Sequence, residues 1–560
     1  MIDALPPGLV LIVGAFLLPP VQGQIRAVLA LVLPLVTLYL IWQLPDGVSV
    51  ALPFLDYSLE PVKADALSRL FATIFAIMSF AGALFALRQA NVVELSAAFA
   101  YSGAAIGVTF AGDLITVFVF WEIMALGSTM VIWATNTEAS YRSSIRYVLM
   151  HLFGGVVLMA GVIGYVAETG SVAFTAMQLG SPATWLILAG FLVNAGAPPL
   201  SAWLPDAYPE ASPSGAVFLS AFTTKTAVYV LMRGFPGTEL LIFVGLYMVF
   251  YGIVYALLEN DMRRILAYSI VNQVGFMVTG IGIGTEMALN GAAAHAFTHI
   301  IYKALLLMSA GSVLYMTGKR KCTDLGGLFQ SMPLTCICGT IGALAISSFP
   351  LTSGFISKSM ISQAAADEHL AIAWFLLAAA SAGVFLHAGI KFPWFVFFQK
   401  DSGLRPPDPP MNMKLAMILF AFGCIFLGVV PGPLYALLPY PVDYVPYTAD
   451  HVIAMLQLLL FSGLAFFLLL PLMKRTLTIS LDVDWFWRRG GTRLAELALD
   501  WLSLAGVRLE RGLRQGLAAW MGRVFHLHGP QGIMARTWPT GSTVFCVIVL
   551  FGVILVVTYL

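Results

Sequence analysis

An all-α polytopic membrane protein with about sixteen transmembrane helices is the fold this sequence predicts, on three observations. The 560 residues are 59% hydrophobic and only 10% charged, with a mean hydropathy of +0.89. No soluble globule has that composition. Apolar runs of spanning length, about 20 residues each, recur along the whole chain. Basic residues then sort to alternate loops, as the positive-inside rule requires of a multi-pass protein.

The runs fall near 7–23, 25–44, 65–88, 93–111, 113–134, 144–167, 184–204, 214–233, 239–259, 264–284, 288–317, 332–364, 371–398, 412–435, 451–473 and 541–560. The first has no basic region before it, so it reads as a retained span rather than a cleaved signal. The 184–204 run ends in Ala197-Pro198-Pro199-Leu200 and Trp203-Leu204-Pro205-Asp206. The 332–364 run is too long for one straight helix and holds Pro350 and Gly354. Both are expected to be broken helices, which membranes tolerate only where protein or a polar cavity surrounds them.

Loops after odd-numbered spans hold Arg88, Arg142, Arg146, Arg263, Arg264, Lys319, Arg320, Lys321, Lys400, Arg405, Lys414, Lys474 and Arg475. Loops after even-numbered spans hold mainly acids, among them Asp46, Asp56, Glu60, Asp113, Glu168, Glu239, Glu286, Asp367, Glu368, Asp443 and Asp450. This places odd exits in the cytoplasm and the N-terminus outside a cell (inner) membrane. Residues 475–540 break the pattern. Arg488, Arg489, Arg493, Arg508, Arg511, Arg514 and Arg523 alternate there with leucines and tryptophans, too charged to span, and the stretch should lie along the cytoplasmic membrane face. It is either a surface-anchored tail or a brace across neighbouring helices or subunits.

A weak internal repeat divides the middle of the chain. Pro199-Leu200-Ser201 answers Pro350-Leu351-Thr352, and Met150-His151-Leu152 answers Thr298-His299-Ile300. Two five-helix units, 93–233 and 239–398, account for this, and an odd number of spans per unit makes the second inverted. Flanking them are N-terminal helices (1–92), C-terminal helices (399–474), the lateral segment (475–540) and a final helix (541–560).

Seven ionisable residues lie in or beside apolar runs: Glu122, Lys225, His295, His299, Lys303, Lys358 and Lys391. A charge at bilayer depth costs roughly 3 kcal/mol on insertion scales. Such groups are therefore buried, paired and commonly used in proton or ion pathways. Glu122 lies near mid-span, where burial and a lysine partner would pull on its proton in opposite senses. His295, His299 and Lys303 are spaced i, i+4, i+8, which makes one stripe on one helix face. Threonines flank Lys225, and Lys358 follows the second break. His387 and Lys391 repeat the i, i+4 arrangement, and Lys391, close to a cytoplasmic end, either serves in the relay or simply snorkels. Asp206 and Glu210 are expected on the outer side, Asp206 as a cap of the broken helix.

Net charge is +1 from 29 basic and 28 acidic residues, so no nucleic-acid partner is expected. The five cysteines form no zinc or haem pattern, and Lys303 would repel a cation from the His295/His299 pair. No metal or cofactor is expected.

Trp203-Leu204-Pro205-Asp206-Ala207, Thr224-Lys225, Trp121-Glu122, His299 through Lys303-Ala304-Leu305-Leu306 and Leu325-Gly326-Gly327-Leu328 resemble the antiporter-like subunits of respiratory complex I and of Mrp-type cation/proton antiporters. The segments Gly389–Phe392, Lys400–Pro406 and Leu481–Phe486 look most like the D-type Mrp subunit. The resemblance implies that Glu122 forms an ion pair with a seventh-span lysine in a first half-channel, with Lys225 as the next relay. It implies a central axis through His299 and Lys303, and Lys358 as the terminal lysine of a second half-channel. The lateral segment resembles the lateral helix of the largest complex I antiporter-like subunit. One departure stands out: Asn194 occupies the place of the seventh-span lysine. Either Lys225 takes over as the partner of Glu122, the favoured reading, or the first half-channel works differently or not at all.

The expected function is thus a membrane subunit of a Na⁺/H⁺ antiporter, acting with other membrane subunits in the lipid bilayer. The alternatives are a proton-translocating subunit of a redox-driven pump, a subunit for proton-coupled inorganic-carbon uptake, or a scaffold that has lost transport. No nucleotide-binding glycine loop or cluster-type cysteine set equips the chain for redox chemistry of its own.

Overall fold

The computed structural model describes residues 6–471, 482–483 and 485–559. Lys474, Arg475 and the start of the lateral stretch at 475–481 lie outside the described residues. Thirteen helices are long and apolar enough to cross a membrane, and three shorter apolar helices accompany them among the described residues. The chain is an all-α multi-pass membrane protein, with one small hairpin among the described residues.

The first compact unit ends at Asp482. Helices α1 (Gly8–Leu17) and α2 (Gly23–Gln43) lead into the hairpin β1 (Ser49–Phe54) and β2 (Tyr57–Lys63), which apolar periodicity did not predict. Its strands pair antiparallel from Ser49↔Lys63 to Phe54↔Tyr57, with a bulge between Val50 and Leu52. Then come α3 (Ala66–Ala86), α4 (Val92–Phe110), α5 (Leu114–Trp133) and α6 (Glu138–Thr169). Polar residues at the run boundaries start these helices. Asp65, Asn91, Asp113 and Thr137 each accept a hydrogen bond from a first-turn amide, satisfying donors the helix itself cannot.

The first break follows α7 (Pro182–Ala195). Gly196 takes a left-handed φ of 75°, which ends the helix at no side-chain cost. Short α8 (Trp203–Ala207) follows, then α9 (Pro213–Leu219) and α10 (Thr223–Gly234). The interruption between α9 and α10 carries no sequence signal, because Ser220-Ala221-Phe222 contains neither glycine nor proline. Next are α11 (Leu240–Leu258), α12 (Met262–Ile283) and α13 (Glu286–Thr317). α12 is buried along nearly its whole length. It meets α11 at Gly245, Gly252 and Gly275, where an added Cβ would collide with atoms of the facing helix. Small residues let two membrane helices approach this closely.

The second predicted break lies between α14 (Pro333–Ile346) and α15 (Ser353–Asp367). Ser348 and Leu351 there hold left-handed φ values of 58° and 68°, a strained state that surrounding structure must impose. α16 (Ala371–Val384) continues as a widened π-turn over Phe385–Lys391. α17 (Met411–Val429), α18 (Gly432–Tyr435) and α19 (Ala449–Leu469) follow.

The second unit is Val483–Leu560. It contains the 37-residue α20 (Thr492–His528), about 55 Å long at 1.5 Å per residue, and the apolar α21 (Thr540–Tyr559).

Candidate functional site

Each buried lysine is held by main-chain carbonyls or hydroxyls. The interruption after α9 releases the carbonyl of Ser220 from helical bonding. Lys225 Nζ donates to it at 2.6 Å and to Thr224 Oγ1 at 3.1 Å. The end of α14 frees the carbonyl of Ile346, and Lys358 Nζ donates to it at 2.6 Å while lying 4.9 Å from the centroid of the Phe276 ring. Lys303 Nζ donates to Ser269 Oγ at 2.9 Å and to the Leu266 carbonyl at 3.3 Å. Helix C-termini and breaks expose partial negative charge, so they suit an ammonium group.

This corrects one expectation. Lys225 is fully buried but does not pair with Glu122: its ammonium is turned to the α9 end, and Glu122 Oε1 has no hydrogen-bond partner among the described residues. Glu122 is only half-buried, on the α5 face that also carries exposed Val119 and Leu126. Its carboxyl lies against Gly155 of α6, where a Cβ would collide with Oε1.

The predicted stripe on α13 is fully buried: His295, His299 and Lys303 all have no exposed surface. His295 is bonded on both sides, Nδ1 to Ser357 Oγ at 3.0 Å and Nε2 to Gln273 Oε1 at 3.2 Å. Tyr302 OH donates to the same Gln273 oxygen at 3.1 Å and lies 3.3 Å from His295 Nε2. His299 is different. Neither ring nitrogen has a hydrogen-bond partner among the described residues, and its ring meets Tyr302 edge-on at 5.2 Å. The α13 stripe, α12 and α15 thus bring His295, His299, Lys303 and Lys358 into one polar seam.

Lys391 is buried but committed elsewhere. From the π-turn its Nζ donates to the carbonyls of Ala256, Leu257 and Glu259 at 3.0, 2.5 and 2.6 Å. Three donors on three carbonyls cap the C-terminus of α11.

Asp206 and Glu210 are corrected too. Asp206 takes a two-pronged bond from Arg146, at 2.7 and 2.9 Å. Glu210 pairs with Arg320 at 2.8 Å, which also pairs with Asp261 at 2.8 Å. Both acids therefore lie at the basic end of the bundle, because the chain runs through α7 to the break and continues to that end before returning. Asp206 sits inside α8 and does not cap it. Buried Arg263 ties this connection down by donating to the carbonyls of Pro209, Ala211 and Ser212 at 2.8, 2.8 and 2.9 Å.

Sequence reasoning missed several polar members. Gln273, Tyr302, Ser269 and Ser357 look unremarkable singly, though Tyr302 continues the His295/His299 stripe and Ser357 precedes Lys358. It also missed His151 as a site residue. His151 is fully buried on α6, with Nδ1 2.7 Å from Asn194 Oδ1. The repeat correspondence of His151 with His299 was the available signal.

A bundle of apolar helices, broken at two places beside buried lysines, defines a multi-pass membrane protein with a polar seam in its interior. Residues 111–386 match the family described as NADH:quinone oxidoreductase/Mrp antiporter, TM. The chain is 31% identical over 350 residues to the D-type subunit of the Na(+)/H(+) antiporter of Alkalihalophilus pseudofirmus, covering 59% of this chain and 71% of that one. It is 28% identical over 358 residues to a probable K(+)/H(+) antiporter subunit of the A/B type from Rhizobium meliloti, covering 60% of this chain but only 36% of the relative. It is 31% identical over 274 residues to the N-type subunit of the NADH-quinone oxidoreductase of Desulforudis audaxviator, covering 45% and 54%. The fold matches a chain of the membrane-bound sulfane sulfur reductase, an archaeal respiratory membrane complex, with a TM-score of 0.72 at 23% identity over 98% and 100% of the two chains. It also matches a chain of the Mrp complex from Dietzia sp. DQ12-45-1b, with a TM-score of 0.66 at 20% identity over 82% and 95%. The chain belongs to the antiporter-like family of membrane subunits shared by Mrp antiporters and complex I.

Proposed function

We propose that this chain is a membrane subunit of a multisubunit Na⁺/H⁺ antiporter, which carries protons along its buried polar seam while a monovalent cation is exchanged. The observation that carries this reading is the seam itself: Lys225, His295, His299, Lys303 and Lys358 are all buried, and among the described residues no carboxylate locks any of these lysines. A lysine held only by neutral carbonyls and hydroxyls can lose its proton without stranding a buried carboxylate. Glu122 begins the path at a half-buried position, Lys225 and Lys303 continue it, and Lys358 ends it at the second break. Water would bridge the steps that protein groups leave open, His299 above all. Lys391, with all three donors on the end of α11, is given a structural place. The partners of the chain are other membrane subunits, in a cell membrane with the basic end of the bundle in the cytoplasm and the N-terminus outside.

The test is cation-dependent proton movement by the reconstituted complex. Proton movement that responds to a Na⁺ gradient without any electron donor supports the antiporter. A second reading, a proton-translocating subunit of a redox-driven pump, is favoured by the 31% identity to an NADH-quinone oxidoreductase subunit. Movement that requires a reductant, and ignores Na⁺, would replace the first reading with the second.

A further inference from the structure

We propose that His151 is the proton-carrying group of the first half of the seam, a step that rests on the proton-translocating reading above. Asn194 lies in the last turn of α7 before the first break. Its amide cannot carry a charge, but the imidazole against it can. His151 Nδ1 lies 2.7 Å from Asn194 Oδ1, an arrangement in which Nδ1 donates. Nε2 is buried without a hydrogen-bond partner among the described residues. The ring plane is held by Tyr147 at 4.1 Å and Trp203 at 4.6 Å. One nitrogen is thus fixed and the other left for exchange.

Its neighbours place it between Glu122 and Lys225. Gly155, against which the Glu122 carboxyl lies, is one turn along α6 from His151 on the same face. On the other side, Tyr147 OH donates to Ser128 Oγ at 3.0 Å and lies 3.4 Å from Thr223 Oγ1. Thr223 precedes Thr224, whose hydroxyl accepts from Lys225. Register adds an independent argument. α6 and α13 are both 32-residue helices. His151 lies as far from Glu138, the first residue of α6, as His299 lies from Glu286, the first residue of α13. Each half of the seam therefore has one histidine at the same position along its long helix.

The step is a simple one. Nε2 takes up a proton to form the imidazolium and gives that proton up to restore the neutral ring. Asn194 holds the Nδ1 proton throughout.

The experiment uses the complete complex in proteoliposomes with a Na⁺ gradient, reading proton movement per assembled complex. The variants are His151→Gln, His151→Gln with Asn194→Lys, Asn194→Asp, and Lys303→Ala as a reference in the other half. His151→Gln should assemble and lose at least tenfold in rate. Adding Asn194→Lys, which puts an ionisable group back beside position 151, should restore the rate to within threefold of the unmodified complex. His151→Gln within twofold of the unmodified rate overturns the proposal. So does an assembled double variant that stays as slow as His151→Gln, since that marks a structural histidine. If His151→Gln yields no complex, Asn194→Asp decides. A carboxylate accepts the same hydrogen bond but holds the imidazolium, so a tenfold slower rate supports the proposal and an unchanged rate overturns it. An unmodified complex that moves no protons sinks the function and this inference together. An active one stopped by Lys303→Ala but not by His151→Gln sinks this inference alone.

Discussion

Lys358 Nζ donates to the carbonyl of Ile346 at 2.6 Å, across the break between α14 and α15. The lysine fills the acceptor that the broken helix exposes, so the break and the buried cation explain each other. Lys225 does the same for Ser220 after α9. A free ammonium at this depth would be costly, and a carbonyl end offsets part of that cost without a carboxylate.

Lys358→Arg should therefore be as inactive as Lys358→Met. Arginine keeps the charge and can still reach a carbonyl, but it does not deprotonate in proteins. Proton flux should fall at least tenfold in both variants, measured per assembled complex. A Lys358→Arg complex near full rate would mean the charge matters and proton release does not.

Gly155→Ala should reproduce much of the effect of Glu122→Ala. The new methyl occupies the space of Glu122 Oε1. The far end of a flexible side chain can swing aside, so the protein should fold with little loss. The carboxyl would leave its place, and transport should drop severalfold while complex yield stays near normal. Full transport by Gly155→Ala would show that the observed seat of the carboxyl is not used.

Glu122→Ala and Lys225→Ala should act on stability independently, because no ion pair joins them. Their effects on thermal unfolding should add within ~0.5 kcal/mol, as for separate sites. A larger interaction in the double-mutant cycle would reveal a paired state in another conformation.

Lys391→Met should destabilise the chain rather than slow it. It leaves the carbonyls of Ala256, Leu257 and Glu259 without their donor. Unsatisfied buried acceptors cost about 1–3 kcal/mol. The unfolding temperature should fall, with transport per folded complex within twofold. Loss of transport at unchanged stability would return Lys391 to the relay.

Much of this protein was legible in the order of its residues. The apolar runs, the breaks after Ala195 and Ile346, and the His295–His299–Lys303 stripe follow from hydropathy, from proline and glycine placement, and from helical period. These are local properties, and local chemistry decides them. What the tertiary structure alone decided is which group faces which. Nothing in the spacing of Lys225 says that its ammonium turns to Ser220 and away from Glu122. Lys391 reads as a relay candidate until the end of α11 is packed beneath it. Asp206 and Glu210 read as outer residues until Arg146 and Arg320 meet them. Asn194 reads as a gap in a row of charges until α6 brings His151 against it. A buried charge is settled by the partner that desolvation forces it to find, and only the packed chain shows whether that is a nearby break, as for Lys225 and Lys358, or a distant helix or loop, as for Lys391, Asp206 and Glu210.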